Sequence, residues 1–179
     1  RTGRFRAMKL GASVASRLGA IFATVFVLQV SLVPHFRLGG YVIDLPLIVV
    51  VLVGLHLNPQ TGSFIGFVVG LMIDLALETP FGMTALTFSL IGFAAGSASP
   101  HLAERNLIIR SLTVALLGAT ATALFASFGV LIGLEYVTRR ELGAIALVTS
   151  AAAIPIATLL SPLIRWSLAL RSSSIRSDQ

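Results

Sequence analysis

The chain has 179 residues, of which 56% are hydrophobic and only 11% are charged, and its mean hydropathy is +0.95. Soluble domains carry about 25% charged residues, so this composition excludes a soluble globular protein and indicates an integral membrane protein. The absence of cysteine excludes disulfides, thiolate metal sites and a cysteine nucleophile.

The apolar runs predict the secondary structure. A helix needs about 20 apolar residues to cross the hydrocarbon core of a bilayer, within a range of about 17–25. Six segments qualify, which predicts an all-α integral membrane protein built as a bundle of six transmembrane helices. They are roughly residues 15–33, 41–57, 62–78, 82–99, 107–134 and 142–164. The first run has no small-x-small cleavage site at its end, so we interpret it as an uncleaved helix rather than a signal peptide.

Proline marks several of the predicted helix ends. The dipeptides at 58–59, 79–80 and 99–100 each end in proline. They are expected to end the second, third and fourth helices, because the residue before a proline is pushed out of the helical region. Pro155 instead lies inside the sixth segment, where its missing N–H predicts a kink.

The basic residues predict the orientation, since cytoplasmic loops of membrane proteins carry an excess of Lys and Arg. Ten of the 13 basic residues precede the first helix, flank the connection between the fourth and fifth, or follow the sixth. The other three are Arg37, Arg139 and Arg140. Both termini are therefore expected in the cytoplasm, which agrees with an even number of helices, since that number places both termini on the same side. Residues 1–14 would be a basic cytoplasmic segment, 15–164 the transmembrane domain, and 165–179 a short polar cytoplasmic tail.

The third segment carries the most informative pattern. Gly62, Gly66 and Gly70 recur every fourth residue, and the next step is Asp74. Small residues at this spacing let two helix backbones approach closely, and in lipid such packing drives helix association. The row is either a contact inside the bundle or a docking face for a helix of another protein. Each step of four residues turns by about 40° around the axis, so Asp74 is expected to adjoin the groove without facing the same neighbour as Gly62. Similar rows of small residues occur at Gly11, Ala15, Gly19 and Ala23, at Gly92 and Gly96, and at Gly118 and Thr122.

Asp74 is the main candidate for a functional polar residue. It lies about 12 residues into the third helix, in the outer half of the membrane, where an unpaired charge costs several kcal/mol. A hydrogen bond to a neighbouring helix, a proton or ion relay, and the shaping of a partner or ligand site are the alternatives. Asp44 begins the second helix on the same side, and Arg37 precedes it. An Arg37–Asp44 or an Arg37–Asp74 pair would form a polar latch, and both pairings remain open.

No arrangement of residues indicates catalysis or a cofactor. His35, His56 and His101 are not spaced as a metal cluster, and the chain has neither a His-Glu-x-x-His motif nor a phosphate-binding loop. The basic residues flank apolar runs rather than forming a basic face with interleaved aromatics, so nucleic acid is not an expected partner. The chain is predicted to be non-enzymatic.

Residues 44–96 resemble the bacterial rod shape-determining protein MreD family. The family pattern is Gly-x-x-x-Gly-Phe-x-x-Gly-Leu-x-x-Asp-Leu, followed by a Pro-x-Gly turn and an Ala-Leu-rich helix. The matching residues are Gly62, Gly66, Phe67, Gly70, Leu71, Asp74 and Leu75, then Pro80, Phe81, Gly82, Ala85 and Leu86.

The resemblance implies a function in the cell-wall elongation machinery of the bacterial inner membrane. It implies a non-enzymatic scaffold that binds MreC most directly and helps to maintain rod shape, with MreB, RodA and a class B penicillin-binding protein in the same complex. It also implies a bundle similar to the substrate-binding S components of energy-coupling factor transporters. The basic N-terminal residues are explained equally by contact with MreB and with anionic membrane lipids.

A vitamin-binding S component is the alternative function. Six short helices and the small residues Ala12, Ser16 and Ala20 favour it, whereas short outer loops with few polar ligands count against it. On the scaffold hypothesis, the residues predicted to pack helices or dock a partner are Gly62, Gly66, Phe67, Gly70, Asp74, Gly82, Gly92 and Gly96.

Overall fold

The computed structural model describes residues 12–31, 43–76, 82–102, 107–133 and 139–169. These ranges contain six helices and no strand, which confirms the all-α prediction. In chain order the helices are α1 (Ala12–Ser31), α2 (Leu45–Gly54), α3 (Pro59–Ala76), α4 (Met83–Leu102), α5 (Leu107–Leu131) and α6 (Arg139–Ala169).

Three segments of these helices are long and apolar enough to cross a membrane, as judged by length and composition alone. They are Pro59–Ala76, Ile108–Leu131 and Ser150–Leu168. Ser16–Ser31 and Leu45–Gly54 are apolar but shorter. Six crossings therefore remain a prediction.

The central element of the bundle is α2. Its 10 residues extend about 15 Å, which is half the thickness of a typical hydrocarbon core and less than the predicted segment 41–57 implied. All residues from Pro46 to Gly54 are buried, and α2 contacts each of the other five helices. A helix enclosed by protein is apolar on every side, which explains why this run shows no polar stripe.

Two prolines act differently from the sequence-based expectation. Pro59 begins α3, and the Asn58 side chain caps that helix by accepting a hydrogen bond from the Thr61 N–H at 2.8 Å. Pro100 was expected to end the fourth helix after residue 99, and this was wrong, because α4 continues to Leu102. The φ angle of proline fits a helix, so near a helix end it removes one hydrogen bond without stopping the last turn.

The last helix is longer than predicted at both ends. It begins at Arg139 and ends at Ala169, and it runs through Pro155 and Pro162. Arg140 therefore belongs to α6 rather than to a connection, and Arg165 belongs to α6 rather than to the tail. The kink at Pro155 stays a prediction.

Candidate functional site

The glycine row of α3 lies against the backbone of α4. A Cβ atom added at Gly62 would collide with the carbonyl oxygen of Gly92, and one added at Gly66 would collide with that of Phe88. At Gly70 it would lie 2.5 Å from the Cα atom of Ala85. Since Cβ atoms essentially never approach another heavy atom within 3.0 Å, the observed helix separation requires glycine at these positions.

The glycines of α4 make the reciprocal contacts. A Cβ atom at Gly92 would meet the Gly62 carbonyl oxygen, and one at Gly96 would lie 2.6 Å from the Cα of Pro59. The hydroxyls of Ser63 and Ser89 add a hydrogen bond of 2.8 Å between the same two helices. The two glycine rows noted in the sequence thus meet each other, and α3 and α4 share the most extensive helix contact in the described structure.

Asp74 holds the N-terminus of α4. Its Oδ2 accepts hydrogen bonds from the backbone N–H groups of Gly82 at 3.0 Å and Ala85 at 3.1 Å, and its Oδ1 accepts one from Thr84 at 3.1 Å. The first N–H groups of a helix have no partner within the helix, and the positive end of the helix dipole favours a carboxylate. Asp74 is only 3% exposed, so this α3 side chain acts as a buried cap for its neighbour.

One detail of the predicted geometry was wrong. Asp74 was expected to face a different neighbour from Gly62, but both residues contact α4. A row of residues four apart winds around its helix at about 26° to the axis, so a partner helix that crosses at a comparable angle follows the row from end to end.

Gly82 has a conformational role rather than a packing role. Its φ is +92°, in the left-handed region that favours glycine, and no atom lies within 4 Å of the position that a Cβ would take. This turn conformation directly precedes α4, and the Gly82 N–H is one of the donors to Asp74.

Phe67 differs from the other predicted docking residues. Its side chain is 46% exposed, and Phe64, one turn earlier on α3, is 68% exposed. The glycines of α3 are buried against α4, whereas these two aromatic side chains remain on the surface of the bundle.

The two acids of the predicted polar latch cap different helices. Arg37 lies outside the described residues, so both of its pairings stay predictions. Asp44 caps α2, since its Oδ1 accepts a hydrogen bond from the Leu47 N–H at 3.0 Å. Asp44 and Asp74 therefore hold the N-termini of two different helices.

Gln29 is a polar contact that the sequence analysis missed. Its side-chain Oε1 accepts a hydrogen bond from the Leu45 N–H at 3.1 Å, which adds a second cap to α2. Gln29 is only 9% exposed. The available signal was a single amide side chain within the apolar run FVLQVS.

A second missed contact joins His56, in the connection after α2, to Arg110 of α5. The His56 Nε2 lies 2.8 Å from the Arg110 Nη2, and its Nδ1 lies 2.7 Å from the Leu52 carbonyl oxygen. Arginine can only donate and a carbonyl can only accept, so Nδ1 carries the proton and the ring is neutral. Burial lowers the pKa of His56 below its ordinary 6.5, the charges of Arg110 and Arg165 lower it further, and the bond to Leu52 opposes them.

The described residues offer little for binding a metal or a small ligand. They include no group of three or more His, Asp or Glu side chains that could hold a metal ion. A shallow cavity of about 210 Å³ is lined by Ile108, Ser111, Leu112, Ile154 and Thr158. Its two hydroxyls, on Ser111 and Thr158, lie 3.2 Å apart and bond to each other.

Comparison with known proteins identifies the family. Neither the curated proteins nor the solved structures contain a match to the chain. A protein-family model described as rod shape-determining protein MreD matches residues 14–169. This range covers nearly the whole of α1 and all of the other five helices, including the α3–α4 pair with Asp74. The chain therefore belongs to the MreD family of rod shape-determining proteins.

Proposed function

We propose that the chain is a non-enzymatic scaffold of the bacterial cell-wall elongation complex, with MreC as its most direct partner. The observation that carries this proposal is the family match over residues 14–169, which establishes a role in rod shape determination. MreB, RodA and a class B penicillin-binding protein are the other proposed members of the assembly. The proposed setting is the bacterial inner membrane, crossed six times, with both termini in the cytoplasm.

The α3–α4 pair supports a scaffold because the separation of the two helices and one end of the pair are fixed. Backbone-to-backbone glycine contacts set the distance between the helices, and the three hydrogen bonds of Asp74 anchor one end. A partner surface built on this pair would not need to reorganise on binding, which lowers the entropic cost of association.

The α3 face that bears Phe64 and Phe67 is the proposed contact for MreC. The glycines of α3 already face α4, so a helix of MreC would need a different surface. Large side chains that the bundle leaves exposed are available to pack against a partner helix, and in lipid van der Waals packing is a main driving force for helix association.

Truncation of Phe67 tests this proposal. Phe67→Ala should lower the amount of MreC recovered with the tagged protein by about 5- to 30-fold, the usual range for an aromatic anchor. The measurement is a mild-detergent pull-down from native membranes, with MreC quantified by mass spectrometry relative to the bait. Phe93→Ala on α4 is the matched control, since Phe93 has a similar exposure of 49%.

The possible results distinguish the proposed contact surface on α3 from the proposed scaffold function. Equal recovery of MreC with Phe67→Ala and Phe93→Ala would contradict the α3 surface but leave the scaffold intact. Failure of the unmodified protein to recover MreC would contradict the scaffold. Recovery of a transporter coupling protein with paired ATPases in its place would support the S-component alternative.

A further inference from the structure

Three arginines on three helices lie toward the same end of the bundle. Arg17 lies near the start of α1, Arg110 near the start of α5, and Arg165 near the end of α6. Contacts tie them to the same region: the Arg17 guanidinium lies 4.6 Å from the ring centre of Trp166, and Arg110 donates to His56. The Ser111–Thr158 hydrogen bond joins the start of α5 to α6 about two turns before Arg165, which places Arg165 on the same side as Arg110 and accords with its electrostatic effect on Arg110 and His56.

No carboxylate among the described residues balances this positive charge. Asp44 and Asp74 cap the N-termini of α2 and α4. Glu141 lies 24 residues before Arg165 on α6, a distance of about 36 Å along the helix. His56 cannot serve as a counter-ion, because its neutral ring already accepts from Arg110.

The Arg17 guanidinium has a buried donor without an acceptor. Its Nη1 is enclosed and makes no hydrogen bond, although the side chain as a whole is only partly buried. A buried cationic donor without an acceptor is costly, so an anion beside this guanidinium would stabilise the site. Arg165 is exposed and makes no hydrogen bond within the described ranges, so its donors are available to an anion.

We propose that Arg17, Arg110 and Arg165 bind the phosphate of an anionic phospholipid from the adjoining membrane leaflet. The planar guanidinium group matches the geometry of phosphate and can donate two parallel hydrogen bonds to it. Basic pockets between transmembrane helices are a recurring binding site for anionic head groups.

The surroundings favour a lipid phosphate over a soluble one. Arg110 and Arg165 lie close to the ends of two segments with membrane-crossing length, Ile108–Leu131 and Ser150–Leu168. Trp166 is 60% exposed beside Arg17, and tryptophan is enriched where membrane helices meet the head groups. An exposed indole next to a partly buried guanidinium group suits a ligand that is apolar at one end and anionic at the other.

Trp166 is also the reporter that tests the proposal, because it is the only tryptophan in the chain. The full chain would be placed in zwitterionic nanodiscs containing a small fraction of phosphatidylglycerol or phosphatidylcholine, brominated near the head-group end of the acyl chains. Bromine quenches tryptophan fluorescence at short range. The expected result is stronger quenching by the brominated phosphatidylglycerol.

Substitutions of Arg165 test whether this residue contributes to the lipid preference. Arg165→Gln should lower the relative affinity for phosphatidylglycerol about fivefold, as expected for the loss of one arginine near an anionic head group. Arg165→Lys keeps the charge and should retain most of the preference. Arg139→Gln is the matched control, since it makes the same charge change at the other end of α6.

Three results would overturn the proposal. Equal quenching by the two brominated lipids would show that the arginines do not select an anionic phospholipid. An equal effect of Arg139→Gln and Arg165→Gln would show that only net charge matters. Loss of the lipid preference on adding millimolar glycerol phosphate at constant ionic strength would show that the arginines bind a soluble phosphate in preference to the lipid.

Discussion

At the scale of single residues, Asp74 shows how an acid can be buried in a largely apolar chain. Its carboxylate receives three backbone N–H groups that the first turn of α4 cannot satisfy internally. The carboxylate gains hydrogen-bond donors, and the helix end gains an acceptor and a favourable charge. These hydrogen bonds offset the cost of burying the acid.

Replacement of Asp74 should therefore destabilise the protein in a graded way. Asp74→Asn keeps one acceptor oxygen but removes the negative charge, and it should lower the free energy of unfolding by about 0.5–2 kcal/mol. Asp74→Leu leaves three N–H groups without this acceptor. Each one that remains buried should lower the free energy of unfolding by about 1–3 kcal/mol. Thermal unfolding of the purified protein in one detergent measures both.

Asp44→Asn is the matched control for this series. Among the described residues, the Asp44 side chain accepts one backbone hydrogen bond, from its own helix, so its replacement should cost less than that of Asp74. An Asp74→Leu variant as stable as the unmodified protein would show that the cap does not support the fold.

At the scale of elements, the α3–α4 pair depends on the absence of side chains. The glycines bring two backbones to a separation that no Cβ atom permits, and this increases the van der Waals contact between the helices. The serine pair Ser63–Ser89 adds a hydrogen bond that lipid cannot provide.

Adding one methyl group in this contact should be strongly unfavourable. Gly66→Ala places a Cβ against the Phe88 carbonyl, so the rigid backbone must move. We expect the free energy of unfolding to fall by about 1–3 kcal/mol or more. Gly66→Leu should separate the helices further and, through that distortion, reduce MreC recovery. The unfolding temperature of each purified variant, together with its membrane level, gives the measurement.

Gly19→Ala distinguishes packing from intrinsic helix preference. Gly19 is also within a helix, but no atom lies within 4 Å of its Cβ position. Its replacement should be neutral or stabilising by about 0.4–1 kcal/mol, because alanine favours the helix. If Gly66→Ala behaves in the same way, the close contact does not determine the stability of the pair.

At the scale of the whole molecule, the bundle is organised around α2. The other five helices contact this short buried element, and Asp44 and Gln29 satisfy its N-terminus. Enclosure by protein removes the need for α2 to match the bilayer thickness by itself, so its length is set by the packing of its neighbours.

The proposed topology can be tested because the chain contains no natural cysteine. Single cysteines at Thr138, between the fifth and sixth helices, and at Ser174, in the tail, would report on opposite sides. In intact spheroplasts a membrane-impermeant maleimide should label Thr138→Cys and leave Ser174→Cys unlabelled until the membrane is opened. Labelling of both, or of the tail alone, would contradict six crossings with cytoplasmic termini.

The sequence by itself determined the protein class, the number of helices in the described ranges and the family. Composition sets the first, because 11% charged residues cannot cover a soluble surface of this chain. Apolar run length sets the second, although α2 and α6 show that it misplaces helix ends by several residues. The spacing of Gly62, Gly66, Gly70 and Asp74 indicates the family, because this spacing is a local pattern that can be read from the sequence.

Only the tertiary structure decided what these residues contact. The glycine row faces α4, Asp74 binds the Gly82, Thr84 and Ala85 N–H groups, and His56 meets Arg110 54 residues later. Local spacing places residues on one face of a helix, but it carries no information about which helix crosses that face or at what angle. Those two quantities depend on all six helices packing together around α2, and they decide the polar contacts between different helices described above.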